Sequence, residues 1–180
     1  MKTFSGLKII PVVLALAVIA ACTELNTKAG GLLNLDTDLK LAFITEADIN
    51  PDDKNQPSPL FIRMYELKST KQFQRANFID LYERDTEILG ADMLAKQTLK
   101  RLKPGDERTD NYVLKSETRY VGLFAEFLQY KNAKFKIIIP IAPTNVFASS
   151  AVVRITGNTI RNEDEKADPE PAPSTNKSGK

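Results

Sequence analysis

The stretch Tyr120-Val121-Gly122-Leu123-Phe124-Ala125-Glu126-Phe127-Leu128 reads as a β-strand with apolar residues on both faces. Tyr120, Gly122, Phe124, Glu126 and Leu128 share one face; Val121, Leu123, Ala125 and Phe127 share the other. A strand of this kind is central in a sheet that is covered on both sides. Its neighbours in sequence carry the same signal. Residues 60–67 are strand-like, with Phe61, Ile62, Met64 and Tyr65 covering both faces, and residues 135–141 form a strand rich in isoleucine. Upstream, Leu33, Leu35, Thr37, Leu39, Leu41 and Phe43 alternate with Asn34, Asp36, Asp38 and Lys40, which predicts one or two half-buried strand segments.

Residues 93–102 end in the turn Lys103-Pro104-Gly105-Asp106. A short strand is expected over 112–115 and a last one over 151–156, with Gly157-Asn158 turning the chain and Ile160 closing the fold. Between the strands, residues 69–90 read as a helical insertion. Ser69-Thr70-Lys71-Gln72 has the form of a capping box, and Asn77 is a second N-cap before Phe78, Leu81 and Tyr82 at helical spacing. The aromatics Phe73, Phe78 and Tyr82 are expected to be the face that docks on the sheet. Short strands with turn signals and one helical insertion predict a mainly β fold, a β-sandwich with helices on one side or end.

The N-terminus has a different logic. Lys2 and Lys8 precede an apolar run over residues 9–20; the small residues Ala20 and Ala21 then lead into Cys22, the only cysteine. A charged start, a short apolar core and small residues before a cleavage point describe a secretory signal peptide. With Cys directly after the cut, Ile19-Ala20-Ala21-Cys22 matches a bacterial lipobox, in which the thiol is acylated and becomes the first mature residue. The run is shorter than the roughly 20 apolar residues that span a bilayer. A buried core thiol is the plain alternative for a lone cysteine, but it leaves the cleavage-like junction unexplained. Thr23 stands where an Asp commonly signals inner-membrane retention, which favours the outer membrane. The expected organisation is a signal peptide over 1–21, a linker over 22–31, a sandwich domain over 32–161 and a disordered Pro-rich tail over 162–180.

Composition excludes several functions. The chain has 180 residues and a formal charge of +2, and loss of Lys2 and Lys8 brings the mature charge to zero, so nothing suggests a nucleic-acid partner. There is no histidine. That removes the commonest general base and zinc ligand and rules out a Ser-His-Asp triad. No cofactor, metal or catalytic residue is expected. A carboxylate-pair hydrolase would need two acids about 5 to 9.5 Å apart in a cleft. Asp52-Asp53 lies in a polar loop and is read as solvated.

The run Pro57-Ser58-Pro59-Leu60-Phe61-Ile62-Arg63-Met64-Tyr65-Glu66-Leu67-Lys68 resembles a motif of the TssJ family, the outer-membrane lipoproteins of the bacterial type VI secretion system. The resemblance continues in order through Phe73, Phe78-Ile79-Asp80-Leu81-Tyr82, Leu89-Gly90, Leu102-Lys103-Pro104-Gly105, residues 120–127 and Gly157-Asn158-Thr159-Ile160. Many members carry Trp where this chain has Phe135, and the tail after Arg161 is outside the pattern.

The resemblance implies a transthyretin-like β-sandwich with an added helical segment, no catalysis, and a place on the periplasmic face of the outer membrane. It also implies binding to the periplasmic C-terminal domain of TssM, in a membrane complex with TssL. The family's contact loop maps to residues 45–58. Here it carries Glu46, Asp48, Asn50, Asp52, Asp53, Lys54, Asn55 and Gln56, with a local charge of −3. A loop this long without regular structure points to function or disorder. The alternative is a periplasmic ligand-binding lipoprotein of transthyretin-like fold, which would show a deep apolar pocket with converging polar groups.

Overall fold

Alternation in β1 (Thr37–Thr45) puts Leu39, Leu41 and Phe43 on one face, and all three are buried. The computed structural model describes residues 37–142 and 149–164. Leu33, Leu35, the leader, Cys22, the linker and residues 165–180 of the expected tail lie outside the described residues.

The remaining elements follow in order: β2 (Ile62–Leu67), α1 (Lys71–Arg75), α2 (Phe78–Leu89), β3 (Met93–Thr98), β4 (Glu107–Leu114), β5 (Tyr120–Ala125), β6 (Lys136–Pro140), β7 (Ser149–Thr156) and β8 (Thr159–Asn162). The strands form two four-stranded sheets, ordered β4-β1-β7-β8 and β3-β2-β5-β6. β1 and β7 run parallel, with Leu41 opposite Ala151. The other ladders are antiparallel.

The sheets pack face to face. Leu39, Leu41 and Phe43 of β1 and Val153 and Ile155 of β7 meet Ile62 and Met64 of β2, Val121 and Leu123 of β5, and Ile137 and Ile139 of β6. The outer face of the second sheet carries Tyr65, Leu67 and Phe124, which pack under Phe73, Ala76, Phe78, Leu81 and Leu89 of the helical insertion. The domain is therefore sheet on sheet with a helical layer on one side, and β2 and β5 are covered on both faces. That accounts for the unbroken apolar sequence of β5 and for the apolar residues on both faces of β2, where Arg63 and Glu66 are the charged exceptions.

Local chemistry shapes the insertion. At Asn77 a capping box forms: Asp80 N donates to Asn77 Oδ1 at 2.9 Å, and Asn77 N donates to Asp80 Oδ2 at 3.2 Å. The box expected at Ser69–Gln72 does not form. Thr70 is the N-cap without a side-chain bond, and Ser69 Oγ accepts from Lys71 N at 3.3 Å instead. The end of α1 is closed by Lys136 of β6. Its Nζ donates to the carbonyls of Phe73 and Gln74, each at 2.8 Å, and of Ala76 at 2.5 Å. Burial lowers the Lys136 pKa, opposed in part by Asp80. Phe73 and Phe78 are buried as expected, but Tyr82 is exposed; its ring stacks on Phe78 at 5.8 Å rather than docking on the sheet.

α2 kinks at Arg84, whose φ of −133° is not helical. Arg63 Nη1 serves the kink, donating to the carbonyls of Leu81 (2.9 Å) and Tyr82 (3.1 Å). The same guanidinium pairs with Glu126 at 2.6 Å and Asp85 at 3.2 Å. Asp85 also accepts from Tyr65 Oη at 3.0 Å and Lys96 Nζ at 2.8 Å. Burial pulls its carboxyl upward, but hydrogen bonds from Lys96, Tyr65 and Thr86 outweigh that and lower its pKa to about 2.

Two strand expectations are revised. β4 begins at Glu107, not near Tyr112, because polar side chains carry its inward alternation. Arg108, Asp110 and Tyr112 stand opposite Phe43, Leu41 and Leu39. Arg108 pairs with Asp110 at 2.8 Å, and the Tyr112 hydroxyl donates to Asp110 at 3.2 Å. Burial, with Asp110 beside it, raises the Tyr112 pKa to about 12. Inward charge at an edge strand discourages pairing with other chains. The fold also runs past Ile160 and past the expected boundary at 161. β8 includes Asn162, Glu163 N donates to Val152 O at 2.9 Å, and Asp164 Oδ2 accepts from Val152 N at 3.1 Å.

Candidate functional site

Strand direction gathers four connections at one end of the sandwich. β1 and β7 both finish there, β2, β4 and β6 begin there, and β5 ends there. The segments at this end are 46–61, 99–106, 126–135 and the two-residue turn Gly157-Asn158 between Thr156 and Thr159.

The first of these is a folded structure, not a solvated connection. Glu46 N extends the ladder to Ile155 O at 2.9 Å, and the Glu46 carboxylate pairs with Arg154 at 2.6 Å. Asp48 Oδ1 accepts from Gly157 N at 3.1 Å. Ile49 is fully buried in the core between the sheets. Asn50 is buried and left-handed at φ 48°, a region tolerated by asparagine. Its N–H donates to Gly157 O at 2.8 Å, its Nδ2 to Pro59 O at 3.0 Å, and its Oδ1 accepts from Leu128 N at 2.8 Å. This one side chain fastens the loop to the 126–135 segment.

Beyond Asn50 the chain makes a tight tip. Asp52 Oδ1 accepts from Lys54 N and Gln56 N, both at 2.8 Å, and Asn55 turns left-handed at φ 58°. The Gln129 side chain donates to Asp52 O. Asp53, Lys54, Asn55 and Gln56 are exposed. Of the residues singled out from the sequence, 52–56 thus form a presented tip, Glu46 and Asp48 are engaged at its base, and Asn50 holds the base together. Cys22 lies outside the described residues.

Other groups at this end escape the sequence pattern. Phe61 is 45% exposed and lies under the Arg101 guanidinium at 5.8 Å; Leu128 is 58% exposed. Phe61 sits in a run apolar on both faces and Leu128 at the end of another, so pattern alone places both inside. Lys100, Arg101 and Lys103 are exposed on the 99–106 segment, next to the acidic tip's base: Gly105 N donates to Glu46 O at 3.2 Å. Among the described residues, no group of three or more His, Cys, Asp or Glu is placed to hold a metal. What this end offers is a rigid, bipolar surface with exposed apolar side chains, suited to recognising a protein.

Residues 37–158 match the family described as "Type VI secretion lipoprotein, VasD, EvfM, TssJ, VC_A0113". The chain belongs to this family. Among solved structures, the T6SS lipoprotein TssJ1 from Pseudomonas aeruginosa is similar at 25% identity and a TM-score of 0.65, covering 76% of this chain and 100% of that one. Serratia marcescens Lip, a membrane-bound component of the type VI secretion system, aligns at 23% identity and a TM-score of 0.63, covering 74% and 100%. A chain in the structure of the T6SS protein TssM C-terminal domain (869–1107) from EAEC aligns at 21% identity and a TM-score of 0.57, covering 69% and 96%. The last two likenesses establish the fold. No curated protein matches the sequence. The family read from the ordered motifs is thus the family found, and the type VI secretion lipoproteins share the sandwich seen here.

Proposed function

We propose that this type VI secretion lipoprotein is anchored in the outer membrane through acylated Cys22 and binds the periplasmic C-terminal domain of TssM, joining a membrane complex that includes TssL. The observation that carries the reading is the presented tip 52–56, held by Asn50 and Gln129 at the end of a rigid sandwich. Family membership supplies the secretion context. The lipobox motivates the anchor: each buried methylene contributes about 0.8 kcal/mol, so several acyl chains make release negligible. The domain then stands on its linker with its loops available to a periplasmic partner.

The test is a pull-down of the tagged mature protein from detergent-solubilised envelopes, probed for TssM and TssL, together with sucrose-gradient separation of the two membranes. Recovery of both proteins and sedimentation with the outer membrane are expected. A Cys22→Ser chain should lose metabolic palmitate label and leave the outer-membrane fraction. Failure to recover TssM overturns the partner assignment; equal label on both chains overturns the anchor.

A further inference from the structure

The described chain leaves the sandwich at a fixed point. Asp164 Oδ2 accepts from Val152 N at 3.1 Å, and Asp164 N donates to Asn162 Oδ1 at 3.2 Å. These two residues border a depression of about 290 Å³ whose other wall is Ile138, Ile139 and Pro140 of β6. The sequence past this exit begins Glu165-Lys166-Ala167-Asp168-Pro169-Glu170, with three acids and one lysine.

β6 is an edge strand of the second sheet. One isolated bridge ties it to β8: Lys134 N donates to Asn158 O at 3.0 Å, and Ile160 N to Lys134 O at 2.9 Å. Among the described residues no ladder continues beyond that bridge, and an open edge invites pairing with other chains. On the helical side of the strand lies a second depression of about 380 Å³, between Gln74 of α1 and Lys134, Lys136, Ile137 and Ile138. Ile138 borders both depressions. The second has two lysines in its walls and no acid. Lys134 is exposed. Lys136 is half-buried, and the acid that acts on it, Asp80, is itself paired with Arg84 at 3.0 Å. Lys71, also exposed, stands three residues before Gln74 on the same helix.

We propose that the acidic stretch 165–170 of this same chain crosses the edge of β6 at Ile138 and docks in the basic groove between β6 and α1, with its carboxylates against Lys134 and Lys71. Three observations select this occupant. The exit at Asp164 and the groove share Ile138 as a wall. Six extended residues reach about 20 Å, enough to cross one strand. The charges are complementary, and a ligand tethered at the rim is held at high local concentration, so weak exposed pairs suffice. The stretch has no large apolar residue, so it docks by charge and adds nothing to the core. Once docked it covers the open edge of β6, as inward charge guards the edge at β4.

The test is zero-length cross-linking with a water-soluble carbodiimide, which condenses a carboxylate with a lysine amine in direct contact. It is applied to the full mature chain in non-ionic detergent and read by peptide mass spectrometry. At low salt, Glu165, Asp168 or Glu170 should join Lys134 or Lys71 at a yield independent of protein concentration. That yield should be severalfold above joins to Lys100 and Lys103, which follow β3 at the opposite edge of the sheet. Half-molar salt should cut it severalfold. Lys134→Glu should also reduce the joins to Lys71 without lowering the melting temperature, and adding Glu165→Lys and Asp168→Lys should restore joins between the swapped positions. Even joining to all exposed lysines overturns the proposal, as does a swap that restores nothing. Products that increase with protein concentration overturn it too, and would make the groove a contact between copies.

Discussion

The ring of Phe73 rests on the backbone of Gly122: a Cβ added to Gly122 would lie 2.8 Å from Phe73 Cζ. Gly122 stands at the middle of β5 because the helical insertion comes down onto the sheet at that point, and any side chain would push α1 away. Gly122→Ala is expected to destabilise by about 1–3 kcal/mol, the usual cost of overpacking. Thermal and urea melts measure it. Phe73→Leu made in the same chain should recover part of the loss; a double mutant as unstable as the sum of the two singles would show that the contact is not the cause.

Phe124 and Phe127 test the two cores separately. Phe124 lies in the cluster under the helices and Phe127 in the one between the sheets, both essentially fully buried. Truncating either to alanine should cost about 3–5 kcal/mol. A melting temperature unchanged in one variant would mean that its layer contributes little to the fold.

Acid should loosen the helical insertion first. The folded-state pKa of Asp85 is about 2, below its ordinary 3.8, so the stability it contributes is fully present above pH 4 to 5 and is lost as pH falls toward 2. The total is about 2 kcal/mol at most. Urea unfolding at pH 5 and pH 2.5 should show a smaller pH-dependent loss in Asp85→Asn than in wild type. Identical losses would remove Asp85 from the acid response.

What the sequence disclosed follows from where the information sits. β2 and β5 were legible because burial on both faces puts apolar residues at odd and even positions alike, and Asn77 because its cap uses residues three apart. The parallel pairing of β1 with β7 joins segments over a hundred residues apart, which no local pattern encodes. β4 is longer than any apolar pattern shows because its inward positions are Arg108, Asp110 and Tyr112, satisfied by one another rather than by apolar neighbours. The candidate site was legible as a position and not as a structure. Ile49 and Asn50 look like loop residues in a polar, Pro-bounded stretch, yet Ile49 fills the core between the sheets and Asn50 bridges two loops through Leu128 and Gly157, far along the chain.

Asn50 should therefore matter to stability more than its surroundings suggest. Asn50→Ala leaves Leu128 N and Pro59 O without their partner and places alanine at φ 48°. A loss of about 2–3 kcal/mol is expected. Asn50→Gly keeps the backbone comfortable and should cost less, while Asn55→Gly at the exposed tip should be near neutral. For the same reason, replacing residues 49–57 with a short Gly/Ser turn would remove a core side chain, so it cannot isolate a binding role.

Point charges at the tip can. Asp52 Oδ1 is engaged by the N–H groups of Lys54 and Gln56 and shapes the tip, whereas Asp53 is an exposed acid of the tip whose charge can be reversed without touching those bonds. Steering by an exposed charge acts on the association rate and fades as salt shortens the Debye length to about 8 Å at physiological strength. Asp53→Lys should slow association with the TssM periplasmic domain severalfold at low salt, leave dissociation nearly unchanged, and lose most of its effect by 0.5 M salt. Lys54→Glu should act in the opposite direction. Stopped-flow mixing at two ionic strengths checks both. The folded state is not at risk, because neither side chain is buried. An association rate in Asp53→Lys equal to wild type at low salt would show that the tip faces away from the approaching partner, and the 52–56 segment would then have to be dropped from the interface.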